Sequence, residues 1–269
     1  MAGEETMTMA DQQPQQPQKR QPSFLDRQVP SGLKTVQRIA IFGILAMVLM
    51  SCLYRERMIC PQNLKQIGLA LHNYILQYRC LPPAYVADKN GKPMHSWRVL
   101  ILPYLDQAEL YRQYDFSEPW NSPRNARLMA KCPDVFRCPH AFPMSPSTTN
   151  YVAVIGDATC WPGSKSVRLE DIKDGASKTV MLVEIADSDI PWIEPRDMSF
   201  DRASAGVNVD RQHGISSNHG NWAFFVFADG SVRSLTDKMS PTTLRAILTI
   251  AGGETINAAD IMPDRLPYN

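Results

Sequence analysis

The sequence predicts a loop-rich α+β fold with a mainly antiparallel sheet, from three observations. A helical region that is first apolar and then amphipathic opens the ordered part, and short mixed elements follow it. The second half is dominated by β-rich runs without helical spacing. The 21 prolines, against 14 glycines, fall largely between short apolar runs and indicate frequent turns.

Composition and charge limit the function classes. The 269 residues are 44% hydrophobic and 20% charged, which suits one large or two small globular domains with a core. The 28 basic and 27 acidic residues leave a net charge of +1. We therefore expect no nucleic-acid partner, because such proteins carry a basic footprint.

Residues 1–33 are predicted to form a disordered cytoplasmic tail. The segment is rich in Gln and Pro, with almost no apolar residue before Phe24. Such a chain cannot bury enough surface to offset its conformational entropy.

Residues 36–54 are predicted to form a transmembrane helix. Ile39–Tyr54 is a run of sixteen uncharged residues between Arg38 and Arg55. As a helix it is about 24 Å long. A bilayer core is about 30 Å thick, so the span is completed if the flanking arginines snorkel. The alternative is a buried helix of a soluble protein.

The orientation follows from the basic residues, since more of them precede the span than follow it. The positive-inside rule then predicts a single-pass protein of the cytoplasmic (inner) membrane with its N-terminus inside. The C-terminal domain is expected in the periplasm or outside the cell. A competing interpretation is a lipoprotein signal, because Leu49-Met50-Ser51-Cys52 resembles a lipid-attachment box ending at Cys52.

Six cysteines leave several pairings open. Cys52 lies in the span and Cys60 just beyond it, and the other four are Cys80, Cys132, Cys138 and Cys160. Two disulfides among those four would suit an oxidising compartment. A zinc site from Cys132, Cys138 and His140 is the weaker alternative, because no second Cys or His pair is evident.

The segment after Pro61 predicts an amphipathic helix, which Pro61 separates from the span or joins to it as a bent rod. His72 lies beside its apolar stripe and is expected to be structural or exposed. The stripe recurs at helical spacing and comprises Leu64, Ile67, Gly68, Leu71, Ile75 and Tyr78.

Local signals predict the remaining elements. Strands are expected at Ala84–Ala87 and in the runs NYVAVIG and TVMLVEIAD. Ser96, Ser122 and Ser240 have the character of helix N-caps, and Pro123 and Pro241 follow two of them. The last helix is expected to end at Gly252-Gly253.

A β-hairpin is predicted from His219 onward. Trp222–Ala228 is apolar on both faces, which indicates a strand covered on both sides. Asp229-Gly230 favours a two-residue type I′ turn, in which Phe227 would face Val232. An extended strand then separates His219 from Asp229 by about 30 Å. These residues therefore predict a folding motif rather than a reactive pair.

Several segments resemble a bacterial pilin-like family of unknown function with a closing signature written H-x(9)-D-G. The resemblance rests on RERMICPQNLKQIGLALHNY and on the spacing from His219 to Asp229-Gly230. Blocks such as HSWRVLILPYLDQAELY, TNYVAVIG and SPTTLRAILTIAGGE are also similar to the family. It implies an exported domain over 55–256, followed by a C-terminal tail over 257–269.

The family resembles type IV pilins and type II secretion pseudopilins, which implies a long N-terminal helix packed on an antiparallel sheet. One feature departs from many members, because no prepilin processing site of the type Gly-Phe-Thr-Leu-x-Glu precedes the span. An uncleaved membrane anchor is therefore expected. In this interpretation His219, Asp229 and Gly230 are structural signature residues.

The expected function is non-enzymatic assembly or surface interaction, with secretion or pilus components or with copies of itself as partners. No nucleophile elbow, P-loop or zinc-protease motif occurs, and no catalytic residue, cofactor or metal site is predicted. A calcium site remains an open alternative among scattered acids, namely Asp171, Asp174, Glu184, Asp187 and Asp189.

The alternative function is an exported binding module for a small ligand or a polysaccharide. It depends on three tryptophans beside prolines in loop-like segments, because exposed rings can stack on sugars. These are Trp120, Trp161 and Trp192.

Overall fold

A computed structural model describes residues 31–141, 145–256 and 258–261. The chain divides into two units, residues 1–52 and 53–269. Most of the predicted tail, residues 1–30, lies outside the described residues, as do 142–144, 257 and 262–269. Residues 31–33, expected in the tail, belong to the first helix.

The first helix, α1, runs from Ser31 to Tyr78 and contains Pro61. The predicted apolar and amphipathic segments are therefore one continuous helix. In its first part, several apolar side chains are 53–70% exposed: Ile39, Ile41, Phe42, Ile44, Leu45 and Met47. Among the described residues, no helix is both long and apolar enough to cross a membrane.

Short elements follow α1. Strands β1 (Tyr85–Ala87) and β2 (Pro93–Ser96) pair antiparallel. Three short helices come next: α2 (Trp97–Leu100), α3 (Ala108–Gln113) and α4 (Pro123–Ala126). The predicted caps are confirmed, since Ser96 Oγ accepts from the amide of Arg98 and Ser122 Oγ from that of Asn125.

A five-stranded sheet forms the centre of the second unit. Its strands are β3 (Tyr151–Ile155), β4 (Val180–Glu184), β5 (Met198–Ser199), β6 (Trp222–Phe227) and β7 (Val232–Thr236). The order across the sheet is β5-β3-β4-β6-β7. Every neighbouring pair is antiparallel except β3–β5, which is parallel. The fold is thus α+β with a mainly antiparallel sheet, as predicted.

Three helices accompany the C-terminal half: α5 (Phe200–Ala203), α6 (Pro241–Leu248) and α7 (Ala258–Ile261). Ser240 Oγ accepts from the amide of Thr243, which confirms the predicted cap of α6. The helix ends at Leu248, earlier than expected, and the extended backbone of Thr249 stops it before the two glycines.

Both faces of the sheet are covered, and β6 shows this most clearly. All of its residues are buried, and they alternate between two apolar clusters. One cluster holds Trp222, Phe224 and Val226 together with the buried face of α1. The other holds Ala223, Phe225 and Phe227 together with α6. The prediction of a strand buried on both sides is confirmed.

The amphipathic part of α1 supplies one of these layers. Leu64, Ile67 and Leu71 are completely buried, and a Cβ placed on Gly68 would meet Val226 Cγ1 at 3.3 Å. Tyr78, expected on the same stripe, is 53% exposed. The stripe therefore ends one turn earlier than the sequence pattern suggested.

The predicted type I′ turn is wrong. The strands pair with Val226 opposite Val232, one residue away from the expected register. The amides of Phe227 and Gly230 bond to the carbonyls of Ser231 and Phe227, respectively, and only Gly230 has a positive φ, of +81°. This is a three-residue loop that ends on a left-handed glycine. Asp229 favours it, because its carboxylate accepts from the amide and the hydroxyl of Ser231.

Candidate metal centre

Four side chains that are distant in the sequence converge in the second unit: Cys60, Cys138, His140 and His219. One sulfur or ring-nitrogen atom of each lies within 4.8 Å of those of the other three. We call this group the Cys2His2 cluster. Both cysteines are buried, and the two histidines are partly buried.

Cys60 comes from α1. It continues the helical spacing of the buried stripe that contains Leu64, Ile67 and Leu71, so its side chain lies on the face that packs against the sheet. Cys60 is itself completely buried, and its Sγ lies 2.8 Å from that of Cys138 and 3.8 Å from Nδ1 of His140.

Cys138 and His140 come from the loop that follows a 3-10 turn at Asp134–Phe136. Asn150 holds this loop against the sheet. Its Oδ1 accepts from the amide of Cys138 at 2.9 Å, and its Nδ2 donates to the carbonyls of Ile185 and Ala186, each at 3.0 Å. Because Asn150 precedes β3, the loop is anchored to the end of the sheet.

His219 precedes β6 and is held on two sides. Its backbone amide donates to Ser217 Oγ at 3.1 Å, and its ring stacks on Trp222 with the centroids 4.9 Å apart. The side chain is only 3% exposed. Nε2 lies 3.5 Å from Cys138 Sγ and 3.3 Å from Oε1 of Glu184.

Glu184 adds a buried negative charge beside the cluster. It is 1% exposed, and its Oε2 accepts from the amide of Phe224 at 3.2 Å. Burial lowers the pKa of His219, but hydrogen bonds with Cys138 and Glu184 outweigh burial and raise the pKa to about 10. The protonated form of His219 is therefore favoured beside the Glu184 carboxylate.

Two further polar groups, the Cys138 thiol and the Tyr151 hydroxyl, are buried at the cluster. Contact with Cys60 and then burial raise the pKa of the Cys138 thiol. Burial, followed by Cys60 and Cys138, raises the pKa of Tyr151 well above its usual value. Tyr151 is completely buried, and its hydroxyl has no hydrogen-bond partner among the described residues.

Of the three residues considered for a zinc site from the sequence, two lie in this group. Cys138 and His140 belong to the cluster, whereas Cys132 does not. The sulfur of Cys132 lies 3.7 Å from the carbonyl of Thr148, and burial raises its pKa to about 12. The two disulfides are not present either, since all four cysteines proposed for them carry free thiols.

The signature residues are not brought together. His219 lies in the cluster, whereas Asp229 and Gly230 lie in the loop beyond the other end of β6. The carboxylate of Asp229 is 3.6 Å from Arg233. A six-residue strand separates the two ends by about 20 Å.

The acids considered for calcium do not converge. Asp171 pairs with Arg168, Asp187 with Arg211, and Asp189 with Arg196. The carboxylate of Asp174 accepts from the amides of Gly252 and Gly253. Only Glu184 lies at the Cys2His2 cluster.

Cys60 and His219 were missed as site residues for identifiable reasons. Cys60 and Cys138 are 78 positions apart, so no short motif links them. One signal was nevertheless available, because Cys60 continues the apolar stripe of α1 and had to face the core. His219 looks like an ordinary residue at the start of a strand. Its contact with Glu184, which comes from a different part of the sequence, is what marks it as a site residue.

Comparison with known protein families shows to which family the chain belongs. Residues 54–208 match the family described as "Protein of unknown function (DUF1559)". Because the match covers more than half of the sequence, the chain belongs to this family. The matched residues include Cys60, Cys138 and His140 and end before His219. No curated protein and no solved structure matches the chain significantly.

Proposed function

We propose that this chain is a non-enzymatic, membrane-anchored exported protein that acts, as pilin-like proteins do, through assembly or surface interaction. The observation that carries the proposal is the packing of the C-terminal part of α1 on an antiparallel sheet. That arrangement is the one implied by the resemblance to type IV pilins and pseudopilins.

The helix–sheet contact is close and apolar. At Gly68 a Cβ would lie 3.3 Å from Val226 Cγ1 and 3.6 Å from the carbonyl oxygen of Gly230. The absence of a side chain allows the helix to approach the β6–β7 hairpin. Complete burial of Leu64, Ile67 and Leu71 contributes about 1.5–3 kcal/mol for each residue, as for core side chains in general.

In this proposal the membrane anchor is the segment Ile39–Tyr54. Its described large apolar side chains, among them Ile39, Phe42 and Leu45, are 53–70% exposed. Such surface is costly in water and is stabilised in a lipid environment. The stretch carries no charge between Arg38 and Arg55, and the preceding basic residues favour a cytoplasmic N-terminus. Without a prepilin processing site, the anchor stays on the mature chain.

Helix variants test the anchor. Lysines in place of Ile44 and Leu45 should release the full chain from membranes, because charges near a bilayer centre are costly. The matched control replaces Leu69 and Leu76, which are 62% and 68% exposed on the same helix. That control should remain membrane-bound. Equal fractionation of the two double variants contradicts the anchor.

Topology and partners complete the test. Protease added to spheroplasts should digest the domain and spare the N-terminal tail, and the reverse pattern contradicts an exported domain. Crosslinking in intact cells should then recover secretion or pilus components, or dimers of the chain. Recovery of neither contradicts the assembly role.

A small-ligand module is the second candidate, because the second unit has a cavity of about 620 Å³. It is in the size range of ligand pockets. Polar and charged groups line it, among them Arg137, Asn150, Asp187 and Arg211.

The polysaccharide version of this candidate loses its main support. Trp161 and Trp192 are completely buried, and their ring nitrogens donate to backbone carbonyls. They are therefore not available to stack on sugars. A panel of small polar solutes that raises the Tm of the full chain would favour the ligand-binding role.

A further inference from the structure

We propose that Cys60, Cys138, His140 and His219 bind one zinc-class divalent transition-metal ion, which ties three distant segments of the domain together. This inference does not depend on the assembly role. A membrane anchor and a metal site are tested by separate measurements, so that either proposal can fail alone.

The ligand set matches the chemistry of zinc. Thiolate sulfur and imidazole nitrogen are its preferred donors, and two of each form a closed tetrahedral site of the structural kind. With bonds of about 2.1 Å to nitrogen and 2.3 Å to sulfur, ligand atoms in a tetrahedron lie about 3.3–3.8 Å apart. The sulfur of Cys138 is 3.5 Å from His219 Nε2, and that of Cys60 is 3.8 Å from His140 Nδ1.

The four ligand atoms, which lie within 4.8 Å of one another, must move to reach a regular tetrahedron, and the two sulfurs must move apart. The sulfurs lie 2.8 Å apart, so a metal ion bound to both would increase their separation by about 1 Å. This shift relieves a contact between two buried thiols. Binding also removes the thiol protons, so that two sulfur anions neutralise the charge of the incoming cation.

The surroundings favour a cation at this point. Glu184 places a buried carboxylate 3.3 Å from the ligating nitrogen of His219. The Tyr151 hydroxyl is fully buried beside the same thiols, and it has no hydrogen-bond partner among the described residues. The hydroxyl donor of Tyr151 suits a neighbouring thiolate sulfur, which is the form that a cysteine takes when it binds a metal ion.

The site also has an entry route. His140 is only partly buried, and Cys138 lines the 620 Å³ cavity together with exposed polar residues. An ion can therefore reach the thiols from that side without unfolding of the sheet.

The primary test titrates Co²⁺ into the full-length chain after it has been reduced and stripped of metal. One equivalent should produce thiolate-to-cobalt charge-transfer absorption and the visible bands of tetrahedral cobalt. Zn²⁺ should displace it at the same stoichiometry. Absence of these bands from the reduced wild-type chain overturns the proposal without reference to any variant.

Variants then locate the site. Cys138→Ser and His140→Gln should each weaken Co²⁺ binding by more than about 10-fold, and Cys138→Ser should also reduce the charge-transfer intensity. Cys132→Ser is the matched control, because Cys132 is a buried free thiol outside the cluster. It should bind as the wild type does. Cobalt spectra that change with Cys132 but not with Cys138 overturn the assignment.

Thiol trapping separates the metal site from a disulfide. Iodoacetamide added in denaturant to unreduced chains taken directly from cells should modify both Cys60 and Cys138, because neither forms a disulfide and both become accessible on unfolding. A Cys60–Cys138 disulfide in chains trapped directly from cells, combined with no Co²⁺ binding after reduction, would show that the two sulfurs form a covalent crosslink. That result overturns the proposal.

Discussion

At the scale of single residues, Gly230 allows two parts of the fold to meet. Its φ of +81° closes the loop between β6 and β7, and a Cβ at this position would lie 3.2 Å from two ring atoms of His72 on α1. The same glycine therefore permits the turn and the approach of the helix.

We predict that Gly230→Ala lowers the free energy of unfolding by about 1–3 kcal/mol, through backbone strain and the His72 contact. Gly91→Ala is the control, since Gly91 has a φ of +82° and a Cβ there would meet no atom within 4 Å. It should cost only the strain of about 1–2 kcal/mol. Urea unfolding of the two full-length variants compares them, and a smaller loss at Gly230 than at Gly91 contradicts the contact.

Glu184 is the second residue whose role can be isolated. Its carboxylate lies 3.3 Å from Nε2 of His219 and contributes negative charge at the cluster. Glu184→Gln keeps an oxygen for the amide of Phe224 but removes the negative charge near the metal, and should weaken Co²⁺ binding by about 10-fold. Asp187→Asn, which removes the carboxylate paired with Arg211, is the control and should leave the affinity unchanged.

At the scale of elements, one buried ion pair joins the short N-terminal elements to the sheet. Arg98 on α2 and Asp197, just before β5, are both completely buried and bonded to each other. Asp197 also accepts from the amide of Ala153 at 2.8 Å and from Trp97 Nε1 at 3.2 Å. Every charged atom of Asp197 thus has a partner.

Asp197→Ala should cost about 3–5 kcal/mol, because it leaves the Arg98 guanidinium buried without its counter-charge. Glu109→Ala breaks the exposed pair with Arg112 and should leave the denaturation midpoint unchanged. Guanidinium unfolding of the full chain measures both variants. Similar midpoints for the two variants would show that burial of the ion pair does not determine how much its loss destabilises the fold.

The β2 strand carries a pH-sensitive group. His95 is 3% exposed, and its Nδ1 lies 2.9 Å from the hydroxyl of Tyr114. Burial lowers the pKa of His95 in the folded state from its ordinary value of 6.5, although the backbone of Phe116 partly opposes this. Below pH 6.5 the unfolded chain therefore binds more protons at this position than the folded chain does.

We expect the contribution of His95 to be present above pH 6.5 and to be lost as the pH falls through the lowered pKa. His95→Gln should thus have a shallower loss of stability between about pH 6.5 and 5 than the wild type. His213→Gln, on a partly exposed histidine paired with Asp210, is the control. The midpoints of urea unfolding across this pH range test the prediction. If the midpoint changes with pH in the same way for wild type and His95→Gln, His95 is not the group responsible.

Sequence patterns predicted elements whose cause is local. The serine caps, the buried stripe of α1 and the strand β6 depend on residues within one or two turns, and each was found. The loop at Gly230 differs from the predicted turn by one residue of strand register, and the two-residue strand β5 depends on its parallel pairing with β3, which is distant in the sequence. Like β5, the candidate site depends on distant residues, because its four residues share no sequence neighbourhood except Cys138 and His140.

At the scale of the whole chain, metal binding and stability should be linked. An ion that binds only the folded state stabilises it by about 2.7 kcal/mol at a free concentration 100 times its Kd. Zn²⁺ should therefore raise the Tm of the full chain, and a chelator should lower it. Cys138→Ser should lose this dependence and Cys132→Ser should keep it. A Tm that is independent of Zn²⁺ in the wild type contradicts the linkage.

The packing of α1 on β6 has a consequence for biosynthesis. The helix leaves the ribosome before any strand, whereas the strand that covers its apolar stripe is completed only at Phe227. The contact has a large separation along the chain, so it cannot form while translation is still in the middle of the domain. A chain that stops before Trp222 leaves Leu64, Ile67 and Leu71 uncovered. Truncated products are therefore prone to aggregate and become substrates for chaperones and quality-control proteases.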